Sequence, residues 1–406
     1  MSTGLDAPRP MRLPIDTLGA TLAVLALAAL SLQPLMLLRP NRIAAAQALP
    51  FWNALPSGLE LAFGSIMTLA ALLLVTRVGA KARLAAGVAG LIALGIAIGL
   101  SAAHLAPPGN AYARVSPAAG AWVLLFAFAL ALADALVRMR LSPLGRIAAL
   151  IVAILVLAGF FASGLWRDLS VLREYASRSD AFSRELRVHA ALSVFSLLAA
   201  VVIGLPLAIA MRRIAPLRRV LLPALNVLQT VPSMALFGLL IAPLAWVAAQ
   251  VPGASALGIA GIGVAPAFLA LLAYSLLPIV ASTITGFEAV PAETREAADA
   301  MGMTARQKLV QVELPLALPV ILTGVRIVLV QNIGLSVIAG LVGGGGLGVF
   351  VFQGISQTAI DLVLLGALPT VAMSFAAAVL LDALIDLTRH QPRGKARASA
   401  LTSEAP

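Results

Sequence analysis

The chain of 406 residues contains no cysteine, so it can form neither disulfide bonds nor thiolate metal sites. Its three histidines, His104, His189 and His390, lie far apart without the spacing of metal ligands. Charged residues make up only 11% of the chain, whereas 61% is hydrophobic, which excludes a soluble globular protein. Most of the net charge of +11 lies between apolar runs, so it indicates membrane orientation and not nucleic-acid binding.

Lysine is nearly absent, which bears on nucleotide binding. A P-loop needs a lysine followed by serine or threonine after a glycine-rich turn. Lys81, Lys308 and Lys395 precede Ala, Leu and Ala, so the chain has no such loop. Any ATP hydrolysis that drives this protein is therefore expected on a separate chain, and we predict that this one binds no cofactor.

Glycines 343, 345 and 348 satisfy the pattern G-x-G-x-x-G. A dinucleotide site would need a strand before this pattern and a helix after it, whereas apolar membrane runs flank it here. Two interpretations remain open: a tight external turn or re-entrant stretch near an outer gate, or a flexible loop.

Long apolar runs recur along the whole chain, and each is long enough to cross a hydrocarbon core of about 30 Å as a helix. We predict an all-α polytopic membrane protein with about ten transmembrane helices in contact with membrane lipids. The predicted spans are 17–38, 59–76, 84–103, 120–137, 146–163, 187–211, 220–243, 257–284, 318–342 and 359–387.

The distribution of arginine and lysine predicts the orientation. An even number of spans places both termini on one side of the membrane. Assigning that side to the cytoplasm places most of the 28 cations there, as the positive-inside rule requires. We therefore predict cytoplasmic termini and a cytoplasmic segment over residues 285–317.

Charge also divides the chain into regions. The predicted external loop 164–186 carries nearly balanced charges, which is typical of an amphipathic helix lying along a membrane surface. We predict a transmembrane extension of five helices (1–165), an external amphipathic linker (166–186), a five-helix core (187–388) and a disordered cytoplasmic tail (389–406).

The segment 285–317 carries local signals for two short helices. Pro291 suits a first helical turn, and Gly302 suits the left-handed position that ends a helix. Thr304 is a good N-cap for a second helix running to about Val312, and Pro315 is predicted to break that helix before the next span. The result would be a helix–turn–helix projecting from the membrane.

The residues Glu296-Ala297-Ala298, Gly302 and Val312-x-Leu314-Pro315 resemble the cytoplasmic coupling signature of binding-protein-dependent ABC uptake permeases. Val312 stands where that family usually has isoleucine. Over residues 186–388 the chain also resembles permeases of osmoprotectant uptake systems of the glycine betaine/choline class. The segments that carry this second resemblance are Asn226-Val-Leu-Gln-Thr-Val-Pro-Ser233, Tyr274-Ser-Leu-Leu-Pro278, Glu313-Leu-Pro-Leu-Ala-Leu-Pro319 and Gly343-Gly-Gly-Gly-Leu-Gly348.

The resemblance implies a type I importer core in the bacterial inner membrane that performs no catalysis itself. It implies a cytoplasmic ABC ATPase, a periplasmic or extracellular substrate-binding protein and a homodimer of permease subunits. ATP would bind to the ATPase. The residues that the resemblance assigns to ATPase coupling are Glu296, Ala297, Ala298, Gly302, Leu314 and Pro315. Short members of the family lack the first five spans, whereas longer members carry such an extension, so the chain resembles the long form.

Polar residues inside predicted spans are candidates for a translocation path. Asn226, Gln229, Thr230 and Ser233 recur at helical spacing, so they are predicted to share one helix face. Such a stripe faces either a water-filled path or neighbouring helices.

The other candidates lie in the eighth and ninth spans. Gln331 and Asn332 are candidates for the same path, while Arg326 could instead extend toward the cytoplasmic surface or pair with an acidic group. Tyr274 could contact a quaternary ammonium through its ring, or could simply pack against its neighbours.

Two alternatives to osmoprotectant import stay open. The coupling signature marks the mechanism and not the cargo, so another small polar solute such as an amino acid remains possible. An ion-coupled secondary transporter is less favoured, because the acidic residues of the spans lie near predicted span ends and not in the deep interior.

Overall fold

A computed structural model describes residues 16–42, 44–107, 110 and 112–388 of the chain. The predicted disordered tail, 389–406, lies outside these residues.

The chain divides into two compact units. Unit 1 comprises Met1–Ser142 with Val152–Ala176, and unit 2 comprises Pro143–Ile151 with Ser177–Pro406.

Unit 1 is built from short and long helices around a three-stranded sheet. Its helices are α1 Thr17–Leu32, α2 Phe51–Ala54, α3 Leu59–Val75, α4 Ala80–Leu105, α5 Ala119–Met139, α6 Pro143–Ala162 and α7 Ser170–Ser177. The first residues of α6 belong to unit 2. Alanine and glycine line the contact between α4 and α5. A side chain at Gly90 would lie 2.4 Å from the ring of Phe128, so the two helices approach closely because Gly90 has none.

Unit 2 is helical throughout its described residues. Its further elements are α8 Ser179–Arg213, α9 Ala215–Thr230, α10 Ser233–Leu239, α11 Ile241–Gln250, α12 Val264–Glu288, α13 Ala292–Ala300, α14 Ala305–Gln307, a π turn Lys308–Glu313, α15 Leu314–Leu335, a 3-10 turn Ile338–Val342, α16 Gly348–Ser356 and α17 Ile360–Thr388. Helix α12 lies at the centre of this unit, where α8, α9 and α15 pack around it.

Eight helical stretches of the described chain are long and apolar enough to cross a membrane. They are α4, α5, α6, α8, α10 with α11, α12, α14 through α15, and α17. Helices α1 and α3 are apolar but shorter. The predicted all-α polytopic fold is confirmed in its helical, multi-span character, with eight long apolar stretches among the described residues where about ten spans were predicted.

The sheet of unit 1 is absent from the sequence-based prediction. Strand β1, Pro34–Arg39, pairs antiparallel with β2, Gln47–Pro50, on one side and with β3, Arg114–Pro117, on the other. The predicted first span, 17–38, therefore ends early, at Leu32. A short buried apolar strand and the end of an apolar helix look alike in hydropathy, so periodicity alone did not separate them.

A compact cluster of charged side chains lies at the end of the unit 1 helices that is away from the sheet. Arg83, which is fully buried, pairs with Asp16 at 2.9 Å and with Asp134 at 2.8 Å. Arg138 contacts the same two carboxylates at 2.9 and 2.8 Å. These four residues, which we call the charge cluster, join the start of α1, the start of α4 and the end of α5.

Asp16 also caps helix α1, because its side chain accepts a hydrogen bond from the amide of Gly19 at 2.8 Å. Burial acts to raise the pKa of Asp16, but the Gly19 hydrogen bond and the guanidinium groups of Arg83 and Arg138 outweigh it. The pKa of Asp16 is therefore lowered from its ordinary value.

The predicted seventh span, 220–243, is wrong in its bounds. Helix α9 ends at Thr230, and a new helix starts at Ser233 after Pro232. Proline disfavours the helical conformation at the residue before it, so Val231 is extended and the chain turns there. The apolar stretch long enough to span a membrane is instead Ser233–Gln250.

Three other predicted bounds shift by several residues. Helix α8 begins at Ser179, eight residues before the predicted 187, and takes up part of the predicted linker. Helix α12 begins at Val264, because Gly263 adopts a backbone conformation with φ of +114° that only glycine tolerates well. Helix α15 ends at Leu335 and is followed by a tighter 3-10 turn.

Candidate functional site: the coupling segment and the polar core of unit 2

The segment after α12 forms the helix–turn–helix that the sequence predicts. Helix α13 ends at Ala300, and Gly302 follows with a φ of +72°. The amides of Met301 and Met303 donate to carbonyls of the last turn of α13, those of Ala297 and Ala298. This is the glycine-terminated helix end expected from Gly302.

The second helix begins with a complete capping box. The Thr304 hydroxyl accepts from the amide of Gln307 at 3.3 Å, and the Gln307 side chain accepts from the amide of Thr304 at 2.8 Å. The predicted N-cap at Thr304 is confirmed.

The prediction that Pro315 breaks this helix is wrong. The chain continues from α14 through the π turn directly into α15, with Pro315 in the first turn of α15. Proline lacks an amide hydrogen, and its ring clashes with the carbonyl four residues earlier in an α-helix. The π turn widens the backbone here, so that the amide of Leu314 bonds five residues back to Leu309.

A buried carboxylate fixes the π turn to its surroundings. Glu313, with a side chain 8% exposed, accepts two hydrogen bonds from Arg212 at the end of α8, at 3.1 and 3.2 Å. Arg295 of α13 lies 3.4 Å from the same carboxylate and donates to the carbonyl of Phe287 at 2.6 Å. The guanidinium of Arg212 also stacks 4.4 Å from the centre of the Phe287 ring.

Sequence reasoning did not assign Arg212, Arg295 or Glu313 to this role. The glutamate directly before Leu314-Pro315 was the available signal, but its partners come from distant parts of the chain.

The predicted coupling residues differ in exposure. Glu296, Ala297, Gly302 and Pro315 are exposed, Leu314 is half-buried, and Ala298 is buried against the rest of the segment. The exposed coupling residues thus form a small-residue surface next to the Glu296 carboxylate, and Ala298 packs on the buried side of α13.

The predicted polar stripe is divided by the break after α9. Asn226, Gln229 and Thr230 lie on α9, but Ser233 begins α10, so the four residues do not share one helix. Asn226 and Thr230 are exposed and donate to carbonyls of their own helix.

Gln229 and Tyr274 join α9 to α12. The Gln229 amide donates to the carbonyl of Tyr274 at 2.7 Å, and the Tyr274 hydroxyl donates to the carbonyl of Val231. Tyr274 is buried, with its ring among apolar residues, so its polar group satisfies the backbone at the break.

Asn332 lies in the interior between three helices. Its side-chain amide donates to the hydroxyls of Ser196 and Ser275, each at 2.9 Å, and its oxygen accepts from Ser275 at 3.1 Å. The neighbouring Gln331 is only half-buried. In the same interior, the hydroxyls of Ser193 and Ser336 lie 2.9 Å apart.

The glycine-rich stretch forms a tight turn that links the 3-10 turn Ile338–Val342 to helix α16. Gly343, Gly345 and Gly346 all have positive φ, between +74° and +86°. Two residues of α8 contact the end of this turn: the carboxylate of Glu185 accepts from the amide of Gly346 at 2.8 Å, and the ring of His189 accepts from the amide of Leu347 at 3.3 Å.

Arg326 pairs with an acidic group, which was one of its two predicted alternatives. Its partner is Asp382 of α17. The guanidinium of Arg146, near the start of α6, lies 2.5 Å from the same carboxylate. Arg146 contacts Asp386 as well. The start of α6 is thereby fixed to the last helix of unit 2.

Comparison with known families covers nearly the whole described chain. Residues 200–390 match the family of binding-protein-dependent transport system inner membrane components. Residues 16–172 match the N-terminal domain of the ABC transporter permease YehY.

Individual relatives align with the second half of the chain. The osmoprotectant import permease protein OsmW of Salmonella typhimurium is 44% identical over 169 residues, which cover 42% of this chain and 74% of OsmW. The glycine betaine/carnitine/choline permease OpuCD of Bacillus subtilis is 36% identical over 51% of this chain and 84% of its own length. The choline permease OpuBD of the same organism is 35% identical over 51% and 85%.

These permeases are multi-pass inner-membrane subunits that perform no catalysis, bind no cofactor and work with an ATPase that binds ATP and with a substrate-binding protein. The chain belongs to this family: it is a permease of a binding-protein-dependent ABC importer, homologous to the glycine betaine, choline and carnitine osmoprotectant permeases and extended by an N-terminal YehY-type domain.

Proposed function

We propose that residues 285–317 are the cytoplasmic segment through which this permease docks its ATPase. The observation that carries the proposal is the exposed surface of Glu296, Ala297 and Gly302 on a helix–turn–helix whose base is anchored by Glu313. A docking element must be exposed at its tip and fixed at its base, since otherwise movement of the ATPase would bend it without moving the spans.

The docking residues have separate tasks. Glu296, Ala297 and Gly302 contact the ATPase directly, and Ala298 fixes α13 to the segment beneath it. Leu314 and Pro315 set the π turn and thereby the direction of the segment relative to α15.

We propose that both chain termini and this segment lie in the cytoplasm, because this orientation places most arginines and lysines on the inner side. The division into an extension (1–165), an external linker (166–186) and a core (187–388) belongs to the same proposal. Helix α7 within the linker buries Glu174, which contacts Arg42 and Arg114 of unit 1.

Two copies of this chain are proposed to enclose the translocation path. Helix α9 has no buried residue in the single chain, and its polar residues Asn226 and Thr230 are exposed. A facing copy would complete that surface. Asn226, Thr230, Ser233 and Gln331 are proposed to line the path, whereas Gln229, Tyr274 and Asn332 support it through interhelical bonds.

The proposed cargo is a small osmoprotectant such as glycine betaine or choline, because the relatives aligned with the core are named for the transport of such solutes. A second candidate is another small polar solute such as an amino acid. Competition for ATP-driven uptake by glycine betaine, choline, carnitine and a set of amino acids distinguishes the two.

Gly302→Arg tests the docking surface. We expect loss of ATP-driven uptake and of ATPase co-purification, because the substitution puts bulk and charge on the docking surface and strains a positive φ. The amount of permease in the membrane should stay unchanged, as nothing lies within 4 Å of the added Cβ.

Gly258→Arg is the matched control, since Gly258 also has a positive φ of +79° and open space around it, in a different loop. Full uptake and normal ATPase co-purification in Gly302→Arg would contradict the docking assignment.

A further inference from the structure

One face of α8 carries a row of polar side chains. Glu185, His189, Ser193 and Ser196 are spaced by four, four and three residues, so they lie on one side of the helix. All four contact α15 or the residues that follow it, up to the start of α16. The same face therefore runs alongside α15 and reaches the glycine turn.

His189 joins the end of one helix to the start of another. It is fully buried, and its Nε2 lies 2.9 Å from the carbonyl of Ile333 in the last turn of α15. A carbonyl can only accept, so Nε2 carries the proton and Nδ1 is free to accept from the amide of Leu347. One neutral ring thus satisfies two backbone groups that have no partner within a helix.

Glu185 completes the same contact one helical turn away. Its carboxylate accepts from the amide of Gly346, two residues before α16 begins. A negative charge is favoured beside a helix N-terminus, where the amides point outward. Glu185 and His189 therefore bind two consecutive amides at the entry to α16.

The glycine turn has no side chains of its own to fix its position. Residues 343–346 are four glycines, and three of them have positive φ. A Cβ at Gly345 would lie 3.0 Å from the Glu185 carboxylate, and a Cβ at Gly346 would lie 3.3 Å from His189. The turn is therefore shaped to fit against these two residues of α8.

The other end of α8 contacts the coupling segment. Arg212 lies 27 residues after Glu185, or roughly 40 Å along the helix axis, and it binds Glu313 in the π turn. One helix is thus attached at one end to the coupling segment and at the other to the glycine turn.

We propose that Glu185 and His189 are positioning residues that attach the glycine turn to α8, so that the turn moves with this helix when the coupling segment moves. This inference rests on the proposed coupling role of residues 285–317. On this proposal, the glycine turn belongs to the part of the permease that changes shape during transport. The contacts of Glu185 and His189 are then required for coupling ATP hydrolysis to movement of cargo.

The test measures cargo moved per ATP hydrolysed by the permease with its ATPase and binding protein in vesicles, with glycine betaine as the probe. In Glu185→Ala and His189→Leu we expect this ratio to fall about tenfold, the effect of losing one charge-assisted or buried hydrogen bond. ATP hydrolysis and permease abundance should change much less. Asp180→Ala, which removes an exposed carboxylate from the first turn of α8, is the matched control and should keep the ratio.

Two conservative variants separate the bonds of His189. An asparagine amide oxygen can replace Nδ1 as acceptor for Leu347, whereas a glutamine nitrogen can replace Nε2 as donor to Ile333. We expect His189→Asn to retain more of the ratio than His189→Gln, because the bond to Leu347 is the one that holds the turn.

A second measurement does not depend on the cargo. The natural chain has no cysteine, so Leu341→Cys places a single thiol beside the turn. Its reactivity toward a water-soluble maleimide should differ between nucleotide-free and ATP-bound transporter, and this difference should vanish when Glu185→Ala is added. Equal reactivity in both states without Glu185→Ala, or an unchanged difference with it, would overturn the inference.

The two proposals fail in different ways. If the unaltered permease showed no ATP-driven uptake of any solute in the competition panel, the proposed coupling role of residues 285–317 would be contradicted. If uptake were normal and the cargo moved per ATP hydrolysed were unchanged in Glu185→Ala and His189→Leu, only the positioning role of these two residues would be contradicted.

Discussion

The polar contacts buried deepest between the helices are of different kinds in the two units, although both units also contain ion pairs. In unit 1 the most deeply buried contact is ionic: Arg83 lies between Asp16 and Asp134. In unit 2 the most deeply buried contacts are neutral: Asn332 bonds to serine hydroxyls of α8 and α12.

This difference affects how easily the helices can move. Separating buried charges leaves an uncompensated charge and costs several kcal/mol. Neutral interhelical hydrogen bonds in membranes contribute about 0.6 kcal/mol on average, so they can be exchanged at low cost. We infer that the neutral contacts between α8, α12 and α15 can rearrange at lower cost than the charge cluster of unit 1.

The largest expected effect comes from breaking the charge cluster. Arg83→Met should destabilise unit 1 by about 3–5 kcal/mol, because Asp16 and Asp134 would remain together with Arg138 alone. The measurement is thermal unfolding of the purified permease in detergent. Lys81→Met removes an exposed cation two residues away and should have little effect, and equal stability of both variants would contradict the proposed difference between the units.

A smaller effect is expected from the neutral network. Asn332→Leu should destabilise unit 2 by about 1–2 kcal/mol, since it removes the bonds to Ser196 and Ser275. Thr323→Val on the same helix loses only a bond to the carbonyl of Pro319 and serves as the control. A loss in Asn332→Leu as large as that in Arg83→Met would show that the two units do not differ in this way.

The smallest effect is a dependence on pH. Asp16 has a lowered pKa in the folded protein, so its contribution is fully present above the ordinary aspartate pKa of about 4 and is lost as the pH falls through the folded pKa. Asp16→Asn keeps a good helix cap but removes the charge. It should reduce the steepness with which the melting temperature falls below about pH 4; an unaltered slope would argue against the charge interaction.

The coupling segment was predictable because its signals are local. Gly302 and Thr304 determine a helix end and a helix start through contacts within a few residues, and the structure contains both. Pro315 misled the prediction because a proline can either end a helix or be accommodated by a wider turn, and the surroundings of Glu313 decide between the two.

The polar row of α8 could not be interpreted from the sequence in the same way. The spacing of Glu185, His189, Ser193 and Ser196 is visible as a helix face, but their partners lie about 140–160 positions later in the chain. The sheet of unit 1 was missed for a different reason. The apolar residues from Leu35 onward extended the predicted span across Gln33 and Pro34, although a proline there is a signal that the helix ends before it.

The π turn also restricts which changes in length the gene can tolerate. A π turn holds one residue more than an α turn, so deleting a single residue within Lys308–Glu313 would let the backbone close into a regular helix. That deletion would leave the directions of the flanking helices nearly unchanged, but Pro315 would then meet the carbonyl four residues before it, a clash that the π turn avoids. Substitutions in this stretch change one contact at a time, whereas a one-codon deletion would remove the wider turn that accommodates Pro315.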